Sequence, residues 1–222
     1  MVDAPESCSR LSGVTSEEDA EARRRVIVEL AARLIVEEGP HGLSLRRLSR
    51  EAGGSTQLVY TLFGGKQGLA DALYAEGFRR LGEAGRQALA AAPPPGDPER
   101  LVVIGHSYRR FALAEPALFS VMFGRAVPGF TPTRRTRQDS RAATFGHVVS
   151  TVQECLDAGT LVGPPAEDLA RMCWATVHGL ASLEVAGLLG PEDVDAFADA
   201  ALRVPVDAHR PSALLDRVDG SA

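Results

Sequence analysis

Lysine is almost missing from this chain of 222 residues: Lys66 is the only one, and every other cation is an arginine. A genome rich in arginine and alanine codons accounts for most of that bias, but not for where the single exception stands. Aromatic residues make up only 5%, so alanine, leucine and valine must do most of the packing within a hydrophobic fraction of 45%. The 3 cysteines, Cys8, Cys155 and Cys173, are an odd number spread far apart. They form neither a disulfide framework nor a metal-ligand spacing, and a reducing cytoplasm is the expected location. The first residues have no cationic start and no apolar run, so no signal peptide is expected. No stretch approaches the roughly 20 apolar residues of a membrane span. The net charge of -5 argues against coating nucleic acid with the whole surface.

What is present is helical periodicity. A polar arm is expected over 1–15, then a helix from Thr15 or Ser16 whose apolar stripe is Ile27, Leu30, Ala31, Leu34 and Ile35. Gly39-Pro40 should stop it. Ser44 and Ser55 suit the starts of two short helices, with Leu45, Leu48 and Ala52 inward on one and Val59 and Phe63 inward on the other. Gly53-Gly54 and Gly64-Gly65 punctuate them. A long helix starts near Lys66, carries Leu69, Leu73, Phe78 and Leu81, and ends at Pro93-Pro94-Pro95. Further helices are expected at about 97–114, 116–124, 133–159, 166–189 and 191–203, with a loose tail over 205–222. No segment alternates as a strand does, so the fold class is all-α. The expected units are a small helical domain over 16–75 and a larger helical domain over 76–204.

The stretch 43–66 orders its parts as a helix-turn-helix requires: a short helix, a glycine turn, and a second short helix with small polar groups outward. Within 44–66 the cations Arg46, Arg47, Arg50 and Lys66 face one acid, Glu51, which makes a local basic footprint on an acidic chain. Ser44 and Ser55 stand at helix starts, where hydroxyl and free backbone N–H groups meet a phosphate. Arg46 suits a guanine edge or a phosphate. Thr56, Gln57 and Thr61 suit base edges and the thymine methyl. Tyr60 and Lys66 suit the phosphate backbone, which sets register while base contacts set sequence.

These residues carry a resemblance. Ala52-Gly53, Tyr60, Phe63, Lys66 and Leu69, in that register, resemble the DNA-binding domain of the tetracycline-repressor (TetR) family. The resemblance implies a dimeric transcriptional regulator that binds double-stranded operator DNA and is released by a small molecule. Two positions depart from the family pattern: Gly54 replaces the usual valine, and Leu62 replaces a common polar residue. Downstream, Trp174 and His178-Gly179, with Pro116 to Gly124 before them, resemble the family's C-terminal domains marked by a Trp…His-Gly motif.

Trp174 and His178 lie four residues apart and share one helix face. With Phe111, Phe119, Met122 and Phe123 they are candidates to line an effector pocket, or else to fill the core. Arg134, Arg137 and Arg141 recur at three- and four-residue steps, as an anion site or as a solvated, acid-paired face. The helices 166–189 and 191–203 carry Ala170, Val177, Leu180, Ala181, Leu188, Ala196, Phe197, Ala200 and Ala201, a small-residue surface suited to a homodimer seam. Two alternatives stand beside the ligand-responsive regulator. One is a constitutive DNA-binding dimer. The other is a helical enzyme or metal protein built on His106, His147, His178 and Glu184, although no nucleophile motif or phosphate loop accompanies them. No catalytic residue, metal ligand or cofactor is assigned.

Overall fold

The computed structural model describes residues 12–38, 44–53, 55–124, 127–190 and 194–211. Among them the chain forms α1 (Ser12–Glu38), α2 (Leu45–Glu51), α3 (Thr56–Phe63), α4 (Lys66–Ala90), α5 (Glu99–Ala114), α6 (Pro116–Phe123), α7 (Arg134–Asp157), α8 (Ala166–Val185) and α9 (Val194–Asp207), and no strand. The all-α expectation holds.

Helices α1 to α3 and the start of α4 share a core of Ile27, Leu34, Leu48, Val59, Leu69 and Leu73, all essentially inaccessible to water. These are the positions at which the apolar periodicity recurs. Ser44 caps α2, its hydroxyl accepting from the Arg47 N–H at 3.5 Å. Ser55 was expected to cap α3 in the same way, but its side chain makes no capping bond and leaves the first N–H groups of α3 unclaimed by it. Helix α4 then runs 25 residues out of this head and into the body, packing on α5, α6 and α7.

Two expected boundaries move. The polar arm expected over 1–15 ends earlier, because α1 already begins at Ser12. Residues 1–11 and the Gly39-Pro40 stop lie outside the described residues. The loose tail was started at 205, yet α9 continues to Asp207 with Pro205 inside it. Pro205 and Val206 are buried beside Leu202, and the Val162 N–H donates to the His209 carbonyl at 2.9 Å. Burying that apolar turn outweighs the one helical bond a proline removes. Ala170, Val177, Leu180 and Ala181, expected on a seam between chains, are instead core residues of this chain.

Ion-pair hubs tie the helices together, two of them centred on Arg80 and Arg109. Arg80 of α4 reaches Glu76 at 2.7 Å, Glu115 at the α5–α6 junction at 3.1 Å, and Glu29 of α1. Arg109 of α5 forks onto both oxygens of Glu184 in α8, at 2.6 Å each, and reaches Asp195 of α9 at 2.7 Å.

Candidate nucleic-acid interface and ligand cavity

The amphipathic split of α3 decides what it offers. Val59, Leu62 and Phe63 are buried, while Ser55, Thr56, Gln57, Tyr60 and Thr61 are exposed. Leu62, where the family tolerates a polar residue, is therefore a core residue. The Thr61 hydroxyl donates back to the Gln57 carbonyl at 2.9 Å, which fixes its rotamer and leaves its methyl group and both oxygen lone pairs available. Tyr60 lies over the Gly64-Gly65 turn, where both glycines have positive φ (71° and 112°). A Cβ on Gly65 would sit 3.1 Å from the Tyr60 ring, so the turn is shaped to seat that phenol.

The cations divide. Arg47 is committed to Glu37, Glu38 and Glu51 and braces α2 on α1. Arg46 and Arg50 are exposed and, among the described residues, pair with no acid; Lys66 opens α4. Arg46, Arg50 and Lys66 thus place positive charge around α2, α3 and the α4 N-terminus, which also presents unsatisfied N–H groups. Gly68 also matters to the head: a Cβ there would overlap the Phe63 carbonyl oxygen. Its signal was a lone glycine in the first turn of a long helix, marking a close backbone approach between α3 and α4.

Behind the head, α4, α5, α6, α7 and α8 line a partly open cavity of about 410 Å³, within the range that suits a small organic ligand. Tyr74, Phe78 and Leu81 of α4 and Met122 and Phe123 of α6 supply apolar wall. Ser107 and Tyr108 of α5 supply hydroxyls. Of the six residues proposed as ligand-lining, Met122, Phe123 and Trp174 do line it. Phe111, Phe119 and His178 lie outside the lining. Phe119 and Phe123 pack tilted and edge-on against the His178 ring, with centroids 5.6 and 4.7 Å away.

His178 is a satisfied histidine: the Tyr108 hydroxyl lies 2.8 Å from Nδ1 and the Ser182 hydroxyl 3.5 Å from Nε2. Burial holds its pKa below the ordinary value and burial pushes the Tyr108 phenol up, so both are neutral at pH 7. Trp174, by contrast, is no core residue. It is 42% exposed on the cavity rim, beside Phe145 at 5.9 Å. Of the three candidate arginines, Arg137 and Arg141 line the cavity and Arg134 does not. Arg171, not singled out in the sequence, joins them. It precedes Trp174 by three residues and His178 by seven, a spacing that already placed it on their face.

The start of α7 is bound to α4 as well. Asp71 accepts from the Thr133 N–H at 3.0 Å and from the Thr136 hydroxyl. His106, His147, His178 and Glu184 do not assemble. They pair separately with Asp199, Arg86, Tyr108 and Arg109, and no cluster able to hold a metal ion occurs among the described residues.

An acid-braced three-helix head presenting a bare polar helix, on an all-α body joined through one long helix, defines a helix-turn-helix DNA-binding regulator. The comparisons place it more narrowly. Residues 27–73 match the model of bacterial regulatory proteins of the tetR family, and residues 101–204 match the tetracyclin repressor-like C-terminal domain. The chain belongs to the TetR family of transcriptional regulators; it is not an enzyme. It is 25% identical over 196 residues to the HTH-type transcriptional regulator Rv1816 of Mycobacterium tuberculosis, covering 75% of this chain and 82% of that protein. A solved protein of unknown function from Rhodococcus sp. RHA1 is 32% identical, with a TM-score of 0.75 over 85% of this chain and 95% of its own. The putative regulatory protein SCO4313 is 25% identical, with a TM-score of 0.71 over 86% of this chain and 98% of its own.

Proposed function

We propose that this regulator is a cytoplasmic homodimeric repressor that leaves its operator when a small molecule fills the cavity behind the head. The observation that carries the reading is the path of α4: its first residue, Lys66, belongs to the cationic head, while Tyr74, Phe78 and Leu81 further along it wall the cavity. A ligand pressing on α4 acts on the element that aims the head.

Thr56, Gln57 and Thr61 would meet base edges in the major groove, with Arg46 on a guanine or phosphate. Ser44, Ser55, Tyr60 and Lys66 would hold the sugar–phosphate backbone. Two copies are needed to read both half-sites of a palindrome, and α8 and α9 offer a face for that pairing. Met172, Ala175, Gly179 and Leu183 form an outward stripe on α8, and Ala196, Phe197, Ala200 and Val204 form one on α9. A Cβ on Gly179 would meet nothing within 4 Å, so a second backbone can approach closely there. Exposed Leu188 and Phe197 extend that face.

A gel shift on DNA from the region upstream of its own gene, with sedimentation of the free protein, tests the reading. A dimer that retards this DNA and not an unrelated duplex supports it. A monomer, or indifference to sequence, overturns it.

A further inference from the structure

The cavity wall carries an unbalanced charge. Arg137, Arg141 and Arg171 stand among its lining residues together with His147, and no aspartate or glutamate does. The three arginines are not equivalent. Arg141 and Arg171 share the Glu167 carboxylate, and Arg171 also reaches Asp168 at 2.5 Å. Arg137 pairs with no acid among the described residues; its guanidinium donates to the Pro132 carbonyl at 3.3 Å. A guanidinium has five N–H donors in a fork that fits a carboxylate, so most of those on Arg137 are unused.

The charge also has a direction. Along α7 the cavity-lining residues run Arg137, Arg141, Thr144, Phe145, His147 and Val148, with both arginines at the start of the helix and Phe145 and Val148 further on. The Arg141 guanidinium lies 5.2 Å over the Phe145 ring, which holds it at the boundary between the two ends. Across the cavity, Phe78, Met122 and Phe123 continue the apolar end.

A neutral occupant that covered Arg137 would strip water from an unpaired charge and give nothing back. A cationic occupant would meet the like charge of Arg137, which no acid offsets among the described residues. From this polarity we infer that the effector is an amphipathic organic carboxylate. Its apolar body packs between Phe78, Met122, Phe123 and Phe145, and its carboxylate is held by Arg137 with Arg141 beside it. The inference rests on the cavity being the effector site, and it adds the chemical class.

The matched compounds 4-phenylbutyrate, 4-phenylbutan-1-ol and 4-phenylbutylamine share a skeleton and differ in head-group charge. Trp174 is the only tryptophan in the chain and stands on the cavity rim, so its fluorescence reports occupancy by each. The carboxylate should bind about tenfold tighter than the alcohol, the lower end for a charge-assisted pair because Arg137 is exposed. Arg137→Gln should erase that advantage and Arg137→Lys should keep part of it. Arg135→Gln, on a side chain that does not line the cavity, should leave it intact. Equal binding of acid and alcohol, or tighter binding of the amine, overturns the carboxylate inference while leaving the cavity as a small-molecule site. No response to any of the three overturns both.

Discussion

Gly85 lines the cavity on α4, and a Cβ built there meets no atom within 4 Å. Gly85→Leu therefore adds a side chain into open space from the middle of a helix. Replacing an interior helical glycine by a good helix former contributes about 0.8–1 kcal/mol. Partial burial of the new isobutyl group adds up to about 1 kcal/mol more. A total near 1–2 kcal/mol corresponds, for a chain of this size, to a rise in melting temperature of roughly 2–8 °C. The same side chain takes volume from an apolar space of about 410 Å³, so binding of 4-phenylbutyrate, followed through Trp174, should weaken at least about tenfold. The head lies elsewhere, and operator affinity measured by gel shift should not change. The combination expected is a stabler protein that holds DNA and no longer answers the ligand. A lower melting temperature, or undiminished ligand binding beside wild type, would refute the claim that this space is open and is where the ligand goes.

Other substitutions probe the frame. Glu184→Gln weakens the partners of Arg109, whose side chain is 10% exposed against 14% for Glu184; breaking so buried a pair should cost about 3–5 kcal/mol by urea denaturation. Asp195→Asn, at a carboxylate 93% exposed, should cost under about 1 kcal/mol. Gly68→Ala forces a methyl group into the Phe63 carbonyl, and should cost about 2–3 kcal/mol in the head and abolish retardation of operator DNA while the body keeps its helical circular dichroism. Burial depresses the pKa of His178 below its unfolded value of 6.5. Its contribution to stability is thus complete above that value and is lost as pH falls through the folded pKa. The melting temperature of wild type should drop more between pH 7 and pH 5 than that of His178→Phe.

Punctuation was the most legible part of the chain. Ser44, the Gly64-Gly65 pair, Pro116 and Pro165 bound helices because each acts on its own few residues, through a hydroxyl, a positive φ or a missing N–H. Pro205 shows the limit: whether a helix survives a proline depends on how much apolar surface the following turn buries, and that surface belongs to other helices. The cavity shows the same limit. Periodicity put Arg137 and Arg141 on one face of α7, and Trp174 and His178 on one face of α8. Only the crossing of α4, α7 and α8 decides that Arg137, Arg141 and Trp174 open onto a shared space while His178 turns behind it to Tyr108. Gly82 helps set that crossing, because a Cβ there would press within 2.6 Å of the Ala143 carbonyl. On α8, apolar residues were visible, but which of them meet this chain and which face outward follows from the packing of α5 and α9.

On the proposed function, the outward face of α3, with the cations around it, sits on DNA as part of a dimer. Fluorescence anisotropy of an upstream duplex, titrated across salt concentrations, tests it most directly. Arg46, Arg50 and Lys66 from each of two copies predict a slope of log affinity against log salt of about −5, and Lys66→Ala should make it shallower by about two. A slope near zero, or one untouched by removing the only lysine in the chain, contradicts the account.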